Sequence, residues 1–226
     1  SVLKHQQEWR EQLEREPVQF LVRELEGRLD RARAALGRFL GAARGDLAFI
    51  PNATTGLNTV LRSLRFKSGD DLLVTNQEYN ASRNALEFAS ERSGARVIVA
   101  EIPFPVRSPA EIEAAILDRV TSRTRLAMLD HVTSQTGLIL PIESLVRQLE
   151  ARGVPVLVDG AHAPGMVPLN LKKLGASYYT GNCHKWICAP KGAAFLHVRA
   201  DRQSEIRPLV ISHGANSLRK DRSRFQ

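Results

Sequence analysis

Short uninterrupted apolar runs alternate along this chain with longer stretches of helical spacing, and that alternation restricts the fold more than any other feature. LAFI at 47–50, LLV at 72–74, VIVA at 97–100, LAML at 126–129 and VLV at 156–158 are each too short to be helices, and none alternates apolar with polar residues. Runs of this kind suit strands covered by helices on both faces. Between them lie amphipathic segments. Leu21, Leu25, Leu29, Ala32, Leu36 and Phe39 recur at three- and four-residue intervals, which predicts one helix from Val18 to Leu40 after the break at Pro17. NATTGLNTVLRSL reads as a loop opening into a helix, and a helix over 80–93 ends at Gly94. Ser108, Pro109 and Glu111 read as N-cap, first helical residue and capping-box partner of a further helix. IESLVRQLEARG is another helix, and the segments 176–182 and 192–198 close the series as strands. The expected fold is a three-layer α/β/α domain with a mostly parallel sheet. No internal repeat or low-complexity linker divides the 226 residues, so a single domain is expected, with N-terminal helices over 1–45.

No apolar run is long enough to span a bilayer, and the opening SVLKHQQEWREQ has no signal-peptide pattern. Two cysteines, Cys183 and Cys188, make no disulfide framework, which points to a reducing, cytoplasmic setting; both are expected to be small buried residues flanking Lys185. The net charge of +8 raises nucleic-acid binding as a class. Its distribution argues against it, because bases and acids alternate along 9–38 and only the tail SLRKDRSRFQ is strongly basic. Neither zinc-finger spacing nor an RNA-recognition aromatic pattern is present, and no metal site is expected.

In open α/β sheets ligands bind beyond the carboxyl ends of the strands. Five segments occupy such positions. Asn52-Ala53-Thr54-Thr55-Gly56 offers free backbone N–H groups and two hydroxyls at a helix start, an anion site or simply a threonine cap. Asn76 to Asn80 carries Tyr79, a stacker for a planar ligand or a packing residue. His131 to Gly137 is a polar cluster or a turn. Asp159-Gly160-Ala161-His162 places a carboxylate at the end of an apolar strand, where it needs donors or a positive partner to stay charged. Thr180-Gly181-Asn182-Cys183-His184-Lys185-Trp186 sets a lysine among aromatic and apolar neighbours, where an amine that loses its proton becomes a nucleophile. Phosphate donors, an aromatic ring, a carboxylate and an amine at one sheet edge are the set that pyridoxal 5'-phosphate requires.

FIPNATTGLNTVL, NQEYNA, DHVTSQTGLILPI, VLVDGAHAPG and YYTGNCHKWICAPKGAAFL stand in an order and spacing that resemble the class V aminotransferase family of fold-type I pyridoxal-phosphate enzymes. The likeness is strongest to its isopenicillin N epimerase-like branch and runs from about Trp9 to Phe225. It implies that Lys185 condenses with the cofactor aldehyde, that Asp159 pairs with the ring nitrogen and that His162 lies near that carboxylate or the ring hydroxyl. It further implies Tyr79 over the ring face, Thr54 and Thr55 on the phosphate with help from Asn182 and His184, and Ser134 toward the ring hydroxyl or substrate. Family members carry a C-terminal small domain that does not appear in this sequence, so the chain is expected to be the cofactor-binding large domain. The implied activity is chemistry at the α-carbon of an amino acid, as epimerase, lyase or aminotransferase, in a homodimer. Two alternatives stay open: a cysteine desulfurase or selenocysteine lyase-type enzyme, and a non-catalytic module with a basic surface that keeps the fold.

Overall fold

The computed structural model of the chain describes residues 1–225. Helices α1 (Val2–Arg15) and α2 (Leu25–Leu40) precede strand β1 (Leu47–Ile50). Then follow α3 (Ala53–Ser63), β2 (Asp71–Thr75), α4 (Asn80–Ser93), β3 (Arg96–Ala100), α5 (Pro109–Leu117), β4 (Thr124–Asp130), α6 (Ile142–Ala151), β5 (Val156–Asp159), α7 (Leu171–Leu174), β6 (Tyr178–Asn182) and β7 (Ala194–Val198). The strands form one seven-stranded sheet in the order β1-β7-β6-β5-β4-β2-β3. Pairings from β3 through β6 are parallel; β7 alone reverses, running antiparallel to both β6 and β1.

Two cores confirm the three layers. Successive strand residues point to opposite faces, so Leu73, Val158 and Tyr179 join a core with residues of α2, α5, α6 and α7. Leu72, Leu157 and Tyr178 join another with residues of α3 and α4. Helix α6 shows how its sequence fits this position: Ile142, Leu145, Val146 and Leu149, at three- and four-residue spacing, are the side chains it buries.

Two local expectations are corrected. The helix foreseen from Val18 to Leu40 is interrupted by a π-helical stretch, Gln19–Glu24. The Leu25 N–H reaches Phe20 O, and the Gln19 side chain meets Glu24 five residues on at 2.8 Å, a pair that the wider turn brings together. The capping box of α5 is half made: Ser108 Oγ accepts from Glu111 N–H at 3.4 Å, but the Glu111 carboxylate accepts from Arg107 N–H rather than from Ser108. The break at Gly94 is as read, with Gly94 at φ 71° closing α4.

Candidate active site

The carboxyl ends of β2, β4, β5 and β6 face one cleft of about 130 Å³, whose lining includes Thr54, Tyr79, Ser134, Asp159, His162 and Lys185. Parallel pairing produces this convergence, since every strand from β2 to β6 delivers its last residue to the same edge.

Asp159 forms the floor. It ends β5 at 3% exposure, its Oδ1 accepts from Ala161 N–H at 2.9 Å, and its Oδ2 accepts from the Ser82 hydroxyl at 2.8 Å. Burial raises its pKa above the usual carboxylate range, while those two donors and the neighbouring Lys185 and His162 pull the other way. The residue that follows has to be glycine: a Cβ on Gly160 would lie 2.2 Å from the Tyr179 ring.

Lys185 stands on the loop between β6 and β7, which the reversal of β7 creates. Its Nζ is 2.9 Å from His162 Nε2, and the Trp186 indole N–H approaches His162 Nδ1 at 3.3 Å. An indole can only donate, so Nδ1 is an acceptor and a neutral His162 carries its proton on Nε2. That proton points at the lysine, an arrangement that only an uncharged amine can accept. Burial lowers the Lys185 pKa in the same direction, opposed by the Asp159 charge and reinforced by Lys191. His162 is likewise held low by burial and by Lys185, with Asp159 opposing. The enclosure comes from His162 and Asp159 more than from the aromatic neighbour, since Trp186 is 53% exposed.

At the anion end the cap of α3 is Asn52, not a threonine. Asn52 Oδ1 accepts from both the N–H and the hydroxyl of Thr55, at 2.8 and 3.1 Å. Asn182 Oδ1 accepts from Ala53 N–H at 2.8 Å. Thr54 is therefore the member of this segment that lines the cleft with its donors uncommitted. His184 faces its own loop, its Nδ1 against Ala193 O at 2.9 Å, and does not line the cleft. Tyr79, at the start of α4, and Ser134 are exposed on the rim.

Three further residues belong here that sequence reasoning passed over: Glu78, Ser82 and Asp130. One carboxylate oxygen each from Glu78, Asp130 and Asp159 lie within 4.8 Å of one another, all three side chains being buried. The signal for Asp130 was available, because LAMLD and VLVD both end in aspartate and the two are register partners on adjacent strands. The cysteines are corrected in part. Cys183 is buried, its thiol pushed up to about 11 by burial, whereas Cys188 is exposed on the lysine loop at φ 60°.

A cofactor with an aldehyde, a basic ring nitrogen and a phosphate fits these residues. The Lys185 amine, its pKa lowered by burial, meets the first, the buried Asp159 the second, and the open start of α3 at Thr54 the third, with two of its neighbours' amides already engaged.

Comparison with known sequences and structures agrees. The family profile described as aminotransferase class V matches residues 3–222. Isopenicillin N epimerase of Streptomyces clavuligerus is 39% identical over 204 residues, covering 90% of this chain and 51% of that protein. A probable chloroplastic L-cysteine desulfhydrase of Arabidopsis thaliana is 33% identical over 237 residues, covering 96% and 50%. The cystine C–S lyase C-DES, solved with its reaction product cysteine persulfide, superposes with a TM-score of 0.88 at 25% identity, over all of this chain and 63% of that one. The chain thus spans about half the length of the curated relatives it matches.

Proposed function

The chain belongs to the class V aminotransferase family of pyridoxal-phosphate enzymes, and on that premise we propose that it forms the cofactor-binding large domain of an enzyme acting at the α-carbon of an amino acid. The observation that carries this reading is the Lys185 amine held 2.9 Å from His162 Nε2 beside the buried Asp159.

Bound here, pyridoxal phosphate supplies an aldehyde that captures an amine and a ring that accepts the electron pair left when a bond to the α-carbon breaks. Asp159 would hold a proton on the ring nitrogen and so sustain that electron demand. Lys185 would serve as the general base for the α-proton, and burial shifts its pKa downward, the direction that favours this task. His162 fixes the amine in place; Tyr79 would cover the ring face, Thr54 beside Asn182 would form the phosphate end without His184, which faces its own loop, and Ser134 would meet the ring hydroxyl or the substrate from the rim. Return of the proton to the opposite face gives epimerisation; loss of a β-sulfur substituent gives a lyase. The names of the relatives support both outcomes. In the desulfurase alternative the protonated, buried Cys183 is a poor nucleophile. A homodimer and a cytoplasmic location complete the proposal; among the described residues no helix is long and apolar enough to cross a membrane.

The test is borohydride reduction of the full-length protein with pyridoxal phosphate, followed by peptide mass mapping. An adduct confined to Lys185 and lost in Lys185→Ala supports the assignment; an unchanged adduct in that variant sinks it. Exchange of the α-hydrogen in deuterated water, set against release of pyruvate and sulfide from cysteine, then separates epimerase from lyase.

A further inference from the structure

The cleft floor holds more carboxyl groups than the proposed chemistry uses. Asp130 and Asp159 are Cα partners at the ends of β4 and β5. Glu78 reaches them from the loop after β2. Their exposures are 2%, 3% and 5% for Asp130, Asp159 and Glu78. No arginine or lysine forms an ion pair with any of the three among the described residues, and three negative charges this close and this dry repel strongly.

Hydrogen bonds are divided unequally among them. Asp159 receives one on each oxygen, from Ala161 N–H and the Ser82 hydroxyl. Glu78 Oε1 receives the N–H of the next residue at 3.2 Å, the Ser82 hydroxyl that bonds Asp159 also draws the Glu78 pKa down, and both Glu78 Oε2 and Asp130 Oδ2 are buried without a hydrogen-bond partner. Buried polar atoms without partners are rare. A carboxylate oxygen can only accept, but a protonated carboxyl can also donate, and here an oxygen of each of the three carboxyls lies within 4.8 Å of an oxygen of the others.

We propose that Asp130 and Glu78 are neutral carboxylic acids in the folded protein at neutral pH, positioning residues that leave Asp159 as the single carboxylate beneath the ring. The part concerning the ring rests on the cofactor assignment above; the protonation states do not. Burial and then the charge of Asp159 push Asp130 up to about 9. Burial, followed by the charges of Asp130 and Asp159, sends Glu78 well above its ordinary value. The other groups around the cluster do not supply a compensating cation to these two acids. Lys185 and His162 act on Asp159. Just after β4 stands His131, lowered to about 4 by burial, and on β6 Tyr179, raised by burial and by Asp159; these two bond to each other at 2.9 Å. Two neutral acids thus give the ring nitrogen one charge to meet instead of three. Ionisation of Asp130 at alkaline pH would add a second.

Carbon-13 NMR of the full-length protein labelled at its aspartate and glutamate carboxyls tests this directly, with or without cofactor. At pH 7 two buried carboxyls are expected at protonated shifts, one lost in Asp130→Asn and the other in Glu78→Gln. In the cofactor-loaded protein, absorbance against pH is expected to show an inflection near pH 9 that Asp130→Asn lacks. If the signals lost in these variants are those of ionised carboxylates, or if a stoichiometric cation accompanies them, the proposal is overturned; wild-type titration alone suffices should a variant not fold. Protonated signals without an adduct on Lys185 would overturn the cofactor reading and the positioning role with it. Ionised signals with the adduct in place would overturn this inference alone.

Discussion

The two edges of the sheet handle buried carboxylates in opposite ways. At the edge where the parallel strands begin, Asp71 is 1% exposed and fully answered. Arg96 reaches it at 2.7 Å, Arg123 at 3.4 Å and the Thr121 hydroxyl at 3.0 Å. Its neighbour Asp70 meets Arg125 at 3.3 Å. Burial pushes the Asp71 pKa up, but Arg96, Thr121 and Arg123 together outweigh it and hold the group below its ordinary value. At the edge where the strands end, Asp159, Asp130 and Glu78 are as deeply buried and have no guanidinium at all. A carboxylate paired with arginine serves the fold. One left among other acids is the arrangement our proposal assigns to chemistry, where a charge from a bound group would answer it.

The largest expected effect lies at the second edge. Asp159→Asn should leave folding intact and lower turnover of the full-length enzyme by ~10²–10³-fold, the scale of losing one preorganised charge at a reacting centre. Steady-state kinetics beside a thermal melt checks both halves. Full activity would place Asp159 with Asp71 as a structural group and erase the contrast.

Stability against pH should then separate Asp130 from Asp71 in sign. The folded-state pKa of Asp130 is raised, so its contribution is fully present below about pH 4 and is lost as pH climbs toward about 9. Asp130→Asn should match wild type in acid and gain on it at up to about 1.4 kcal/mol per pH unit through the interval between those values. Denaturant midpoints at a series of pH values measure the divergence. Parallel curves would mean that Asp130 ionises as readily folded as unfolded.

Much of this arrangement is written in the residues taken one segment at a time. The strand runs, the helix spacing, Gly94, and the polar groups placed after each strand are local properties, and local rules find them. Lys185, Asp159, His162, Thr54, Tyr79, Asn182 and Ser134 do meet at one cleft. What escaped depends on neighbours distant in the chain. That Thr55 is already engaged follows from Asn52 winning the cap, and that His184 turns away follows from the carbonyl of Ala193 just before the returning strand. Asp130 becomes conspicuous only when β4 and β5 are aligned in register. The π-turn before α2 accompanies an edge-to-face packing of Trp9 on Phe20 with the Arg28 guanidinium over both rings, contacts that no periodicity announces.

Returning to the first edge, Asp71→Asn should destabilise by ~2 kcal/mol at neutral pH, the range for hydrogen bonds to a charged group. The folded pKa of Asp71 is depressed, so this contribution is present above about pH 4 and fades as pH falls through the folded value. The difference between variant and wild type should therefore shrink in acid, the reverse of the Asp130 series.

The smallest effect belongs to the outermost partner. Arg123 is 54% exposed and its Nε stands 3.4 Å from Asp71 Oδ2, so most of its charge is already screened by water. Arg123→Ala should cost about 0.5 kcal/mol or less in denaturant unfolding and fade further in high salt, because Arg96 and Thr121 still answer the carboxylate. A loss as large as that of Asp71→Asn would mean that the group depends on every partner it has. The first edge would then be as finely poised as the second, and the distinction between a carboxylate kept for the fold and one kept for chemistry would have to rest on the cleft alone.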